Sequence, residues 1–161
     1  MSEKKTFDLP YAGIFSKGEI TFLCGEKGDL SAVLEMENPV LQYAADSAGY
    51  QAFQQLLLHI CKLLGQGHIL QKQDVFFCDH YLPEKGEDDL QNAFQQHFNG
   101  RRFIRMRSYL VLSKEIPPGR FYVYDQKGEE DFCRLVLQVR ELLSSAGCKG
   151  RLLQQGEIKE Y

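Results

Sequence analysis

A chain of 161 residues, 43% apolar and 25% charged, has the size and composition of one globular domain with a single core. Its net charge of −3 excludes a molecule dominated by nucleic-acid-binding basic surface, leaving room only for a local patch. No apolar run approaches the ~20 residues that span a bilayer. The polar start Met-Ser-Glu-Lys-Lys is not leader-like, and five scattered cysteines suit free thiols better than a disulfide framework, so a cytoplasmic protein is expected.

Residues 1–18 carry Pro10, Gly13 and Gly18 between short apolar clusters and read as an irregular lead-in, strapped down by Phe7, Leu9, Tyr11, Ile14 and Phe15. Glu19 to Cys24 then alternates, with Ile20, Phe22 and Cys24 on one side. Leu30 to Glu37 alternates again, with Leu30, Ala32, Leu34 and Met36 inward and Ser31, Glu35 and Glu37 outward. Gly25-Glu26-Lys27-Gly28-Asp29 between them is a turn, so the pair is a β-hairpin. It stops at Asn38-Pro39, since proline has no N–H for the ladder.

Ser47 is the expected N-cap of a long helix whose apolar stripe is Tyr50, Phe53, Leu56, Leu57, Ile60, Leu63 and Leu64, stopped by Gly65 and Gly67. His68 to Asp79 is a central strand. Ile69, Val75 and Phe77 fall on one face, and Leu70, Lys72, Asp74, Phe76 and Cys78 on the other. After a turn-rich loop, Asp88 or Asp89 caps a shorter helix with Leu90, Ala93, Phe94 and Phe98 on one side, ended by Gly100. Arg101 to Lys114 is the second long strand, broken by Pro117-Pro118-Gly119 and followed by a short strand or linker over 121–124. Glu129, Glu130 and Asp131 open the last helix, whose stripe is Phe132, Leu135, Val136, Val139, Leu142, Leu143 and Ala146. A final short strand is expected within Lys149 to Gln154.

The order is ββαβαβ(β)αβ. It predicts an α+β fold: a mixed, mostly antiparallel sheet with helices packed on one face, in a ferredoxin-like arrangement. One domain over residues 1–161 is expected, with the body at 19–157.

The chemistry is sparse. There is no G-x-x-x-x-G-K-[ST], G-x-S-x-G, C-x-x-C or H-E-x-x-H. Cys78, His80 and His97 have no further close pair to complete a zinc site, so no metal and no cofactor are expected. Lys72 and Asp74 on one strand could belong to a metal-dependent nuclease only with another carboxylate nearby, for which Glu35 and Glu37 are candidates. Arg101, Arg102, Arg105 and Arg107, interleaved with apolar residues, could grip phosphate. A half-exposed strand face paired with acids such as Asp74 suits the negative net charge better, so no dedicated nucleic-acid site is expected.

The order of motifs carries one further signal. Gln71-Lys72-Gln73-Asp74-Val75-Phe76 is followed by Tyr81, by a helix ending His97-Phe98-Asn99-Gly100-Arg101, and by Ser108-Tyr109-Leu110-Val111-Leu112-Ser113-Lys114. With the hairpin turn Gly28-Asp29-Leu30-Ser31, this resembles the N-terminal region of the TraG-type conjugation ATPases of Bacteroidetes conjugative transposons, over roughly residues 10–120. The family has histidine and tryptophan where this chain has Gln71 and Val75, and its nucleotide site lies in a RecA-like domain that this chain lacks. The resemblance therefore implies a non-catalytic interaction domain of a type IV secretion motor. Its implied partners are other transfer proteins and further copies of itself, with peripheral contact to a membrane complex at the inner face of the inner membrane. Lys72, Asp74, Arg101, Arg102, Arg105 and Arg107 are the expected interaction surface. A stand-alone metal-dependent nuclease or phosphate-binding enzyme using Asp74 and the 101–107 strand stays open as the alternative.

Overall fold

The computed structural model describes residues 11–37, 46–116 and 125–158. It is an α+β protein with a six-stranded, mostly antiparallel sheet. The strands are β1 (Tyr11–Lys17), β2 (Ile20–Gly25), β3 (Leu30–Met36), β4 (His68–His80), β5 (Arg102–Lys114) and β6 (Gly150–Leu152). The helices are α1 (Ser47–Leu64), α2 (Asp89–Phe98), α3 (Gln126–Ser145) and the single turn α4 (Gln155–Ile158). The sheet order is β1-β2-β3-β5-β4, and β6 also pairs with β3.

The hairpin of β2 and β3 forms as the alternation predicts, with Phe22 opposite Ala32. Residues 11–17 correct the expected lead-in: they are a strand, paired antiparallel with β2. The register shifts between Tyr11 and Gly13, and such an irregularity breaks the period-2 pattern by which a strand shows itself in sequence. Residues 1–10, the hairpin stop at 38–39, the break at 117–119 and the short strand or linker expected at 121–124 lie outside the described residues.

Contacts gather the chain into two compact units, residues 1–73 with 108–161, and residues 74–107. In the first unit, one face of the sheet presents Phe22, Leu34, Leu110 and Leu112 to Phe53, Ile60 and Leu64 of α1 and to Phe132, Val136, Val139 and Leu143 of α3. Large apolar side chains buried to this degree contribute about 1.5–3 kcal/mol each before the entropy of ordering them is subtracted. Leu23, Val33, Tyr109 and Val111 line the other face, against Leu153 and Ile158. Ser31, expected outward, is therefore buried too, and it shares a 2.7 Å hydrogen bond with Ser113 across the β3–β5 pair.

The cap of the first helix differs from expectation by a residue. Asp46, not Ser47, caps α1, its carboxylate accepting the Ala48 N–H at 3.0 Å. Asp125 caps α3 in the same way, through Gly128 N–H, so that helix starts before the acidic run. Tyr50, counted in the α1 stripe, is exposed. Gly65 and Gly67 end α1 with φ of 67° and 78°, values that residues with a Cβ seldom adopt.

Candidate functional site

The second unit holds five of the six expected surface residues, Asp74, Arg101, Arg102, Arg105 and Arg107; Lys72 belongs to the first unit. It consists of the distal part of β4, a loop, α2 and the first part of β5. Asp88 accepts the Gln91 N–H at 2.7 Å and starts α2. The Tyr81 N–H donates to the Arg101 carbonyl at 2.9 Å and closes the end of the ribbon. At the opposite end of the two strands, in the first unit, the Glu115 N–H donates to the Gly67 carbonyl at 2.9 Å, so the strands are antiparallel as expected.

The register gives Arg105 a different acid from the one expected. With Tyr81 opposite Arg101, Phe77 faces Arg105 and Cys78 faces Ile104. Residues of like parity then share a face, so Arg105 and Arg107 project on the Phe77 side and Asp74 on the Cys78 side. Arg105 takes Asp79 as its carboxylate, at 3.2 Å, rather than Asp74. Both Arg105 and Arg107 lie over the Phe77 ring, at 5.8 and 5.4 Å from its centroid. The His80 backbone N–H, and after it the Arg105 guanidinium, hold the Asp79 carboxyl below its ordinary range. Sequence reasoning missed Asp79 and Phe77 as arginine partners because a one-residue difference in register decides which face a strand residue joins.

Arg101 and Arg102 turn to other groups. Arg101 lies 5.2 Å from the centroid of Phe98, and Arg102 Nε donates to Cys78 Sγ at 3.3 Å. The contacts described for the four arginines reach Phe77, Asp79, Phe98 and Cys78. The unit carries six carboxylates against five basic side chains, so its summed charge does not favour phosphate. Tyr81 packs edge-on against Phe98 and Phe103 and donates its hydroxyl to Gln95, which fixes α2 to that side of the ribbon.

Apolar exposure is the unit's second property. None of residues 74–107, all of them described, is buried. Phe76, Leu82, Leu90 and Ile104 are 66%, 78%, 80% and 74% exposed, and Val75, Phe94 and Phe103 are exposed as well. A monomeric protein seldom leaves so many large apolar residues in water within so short a stretch. The sequence signal for this was available: β4 and β5 carry apolar residues at both parities between 75 and 78 and between 103 and 106. Such a pattern requires two covered faces.

Among the described residues, no group of three or more histidine, cysteine or carboxylate side chains is arranged to hold a metal ion, and all five cysteines are free. No described helix is long and apolar enough to cross a membrane. No protein-family model matches the chain, and no curated protein sequence matches it significantly.

Proposed function

We propose that the chain is a non-catalytic interaction module of a conjugative-transfer ATPase of the type IV secretion kind, docking the motor to other transfer proteins at the cytoplasmic side of the inner membrane. The observation that carries this reading is the exposed apolar surface of residues 74–107, with Leu90 and Phe94 on α2 and the arginine-topped Phe77 on the ribbon. The most specific piece of the family resemblance, the Lys-Gln-Asp strand within 71–76, lies at the border of that unit, and the 97–101 turn lies within it. Aromatic and arginine side chains together are the usual anchors of protein interfaces.

The test is a mating assay on Arg107→Ala and Phe94→Asp, with circular dichroism on the purified variants and capture of transfer proteins from the same donor cells. Both variants are expected to fold, to lose capture and to lower transfer by about tenfold or more, the order expected when one interface anchor is removed. Full transfer by folded variants would overturn the reading. Magnesium-dependent DNA or nucleotide hydrolysis by the purified chain, lost in Asp74→Ala, would replace it with the nuclease alternative.

A further inference from the structure

We propose that Asn99 is a self-modification site, converted to aspartate and isoaspartate by attack of its own main chain, and that the pairing of Tyr81 with the 98–101 turn gates the reaction. This does not rest on the conjugation reading. Asn99-Gly100 is the only Asn-Gly step in the chain, and both residues are exposed. Asparagine is labile where the next amide nitrogen can reach its side chain, most of all when the next residue has no Cβ to crowd the approach. The turn needs that glycine. The Arg101 N–H donates to the Phe98 carbonyl at 3.0 Å, Asn99 has φ −53° and ψ 127°, and Gly100 has φ 73°. These are the angles of a type II turn, which calls for glycine at its third residue. The residue that permits the turn is therefore also the one that leaves Asn99 open to attack.

In the reaction the Gly100 nitrogen bonds to Asn99 Cγ, the Cγ–Nδ2 bond breaks, and ammonia leaves with the Gly100 amide proton. Water then opens the cyclic imide. Breaking the new Cγ–N bond gives aspartate. Breaking the bond from the nitrogen to the Asn99 main-chain carbonyl carbon gives isoaspartate, with the main chain routed through the former side chain.

The closed turn opposes the first step twice over. The Gly100 N–H is donated to the Tyr81 carbonyl at 2.9 Å, which holds the nitrogen and engages its proton. At ψ 127° that nitrogen is also turned away from the Asn99 Cβ, whereas ring closure needs the two nearly eclipsed about the Cα–C bond. Tyr81 keeps the turn shut. Its N–H donates to the Arg101 carbonyl at 2.9 Å, its ring packs edge-on against Phe98 and Phe103, and its hydroxyl donates to Gln95. No residue of 74–107 is buried, so this clamp belongs to the part of the chain that opens locally, without global unfolding. Each opening frees Asn99 to react. Isoaspartate adds an atom to the main chain and no longer fits the turn, so conversion is a one-way record of opening. Either product places a negative charge close to Arg101, which lies over Phe98.

The test incubates the intact chain beside a synthetic peptide spanning residues 95–103 at mildly alkaline pH. Peptide mapping by mass spectrometry and isoaspartyl-specific methylation follow the conversion. The peptide should convert at Asn99, the intact chain should do so about tenfold or more slowly, and Asn99→Gln should release no ammonia on that timescale. Hydrogen exchange at the Gly100 amide should be slowed by the same factor as conversion, to within about threefold, because both await the same opening. Tyr81→Ala should speed conversion of the intact chain by about fivefold or more, while the amides of Leu110 and Val136 keep their protection. An intact chain that converts as fast as the peptide would overturn the proposal. So would a Gly100 amide whose protection is out of proportion to the slowing, or a folded Tyr81→Ala chain that converts no faster.

Discussion

Lys17 Nζ lies 2.7 Å from the carboxylate of Glu129, tying the end of β1 to the first turn of α3 across 112 positions of sequence. Glu129 is buried, whereas the lysine remains partly in water. Removing the lysine therefore strands a carboxylate in a site where hydration is poor. Lys17→Met should lower stability by about 1–3 kcal/mol, and Lys17→Met with Glu129→Met should recover much of it, since the penalty lies in the unpaired charge. Urea unfolding of the four-member mutant cycle measures this. Additive single effects would show that the two groups are not coupled.

His68 offers the opposite case. Its ring stacks on Phe132 at 5.6 Å between centroids, and its Nδ1 is buried with no hydrogen-bond partner. His68→Phe keeps the ring contact and removes the unsatisfied nitrogen. It should raise stability by about 1–2 kcal/mol. A lower melting temperature would mean that the nitrogen is hydrated in solution.

Arg140 holds Glu19 with two hydrogen bonds, of 2.6 and 3.2 Å. That bonding, foremost, places the Glu19 carboxyl below its ordinary range. A carboxyl depressed in the folded state contributes stability above its unfolded pKa and loses it as pH falls through the folded one. Arg140→Ala should return Glu19 to the ordinary carboxylate range in an NMR titration. It should also flatten the acid limb of the stability curve. An unchanged Glu19 titration would refute the pairing.

The thiols should separate by accessibility. Cys61 and Cys78 are exposed, Cys24 and Cys133 are half-buried, and Cys148 is buried. Burial pushes the Cys133 thiol up, which lowers its thiolate fraction. Ellman's reagent should modify two thiols quickly in the native protein and all five after denaturation. Fewer than five in the denatured chain would reveal a disulfide.

Much of the fold was legible where one face of an element is buried and the other wet. The stripe of α3 gives Phe132, Val136, Val139 and Leu143 as core, and all four are buried. Leu57 and Leu135, of equal rank in the sequence stripes, are only partly covered, because a helix lying on a sheet buries less than its full apolar width. β1 was hidden by its register shift, and the burial of Ser31 by apolar cover on the second face of the sheet. The candidate surface was half legible. Its arginines stood out as a charge run, but their distribution over Phe77, Asp79, Phe98 and Cys78 depends on a register that turns on a single backbone pairing. The apolar residues at both parities of 75–78 and 103–106 were in the sequence, but that neither face of this stretch is covered could be seen only from their exposure.

β3 has an unusual division of labour. One edge pairs along its whole length with β5; the other is shared, Leu30 to Ala32 with β2 and Leu34 to Met36 with β6. Leu34 thus sits between Leu110 and Leu152, partners far along the chain. During synthesis the early hairpin can form at once, but the edge of β3 that pairs with β5 must wait for a strand 72 to 84 positions further on, and the Leu34–Met36 edge for β6, more than a hundred positions on. Loop-closure entropy must be met before those contacts form, which makes the closing of the sheet a late and slow event. Until β6 arrives, the half-paired β3 is the segment of a nascent chain most open to wrong strand pairing, and so the natural place for a chaperone to hold it.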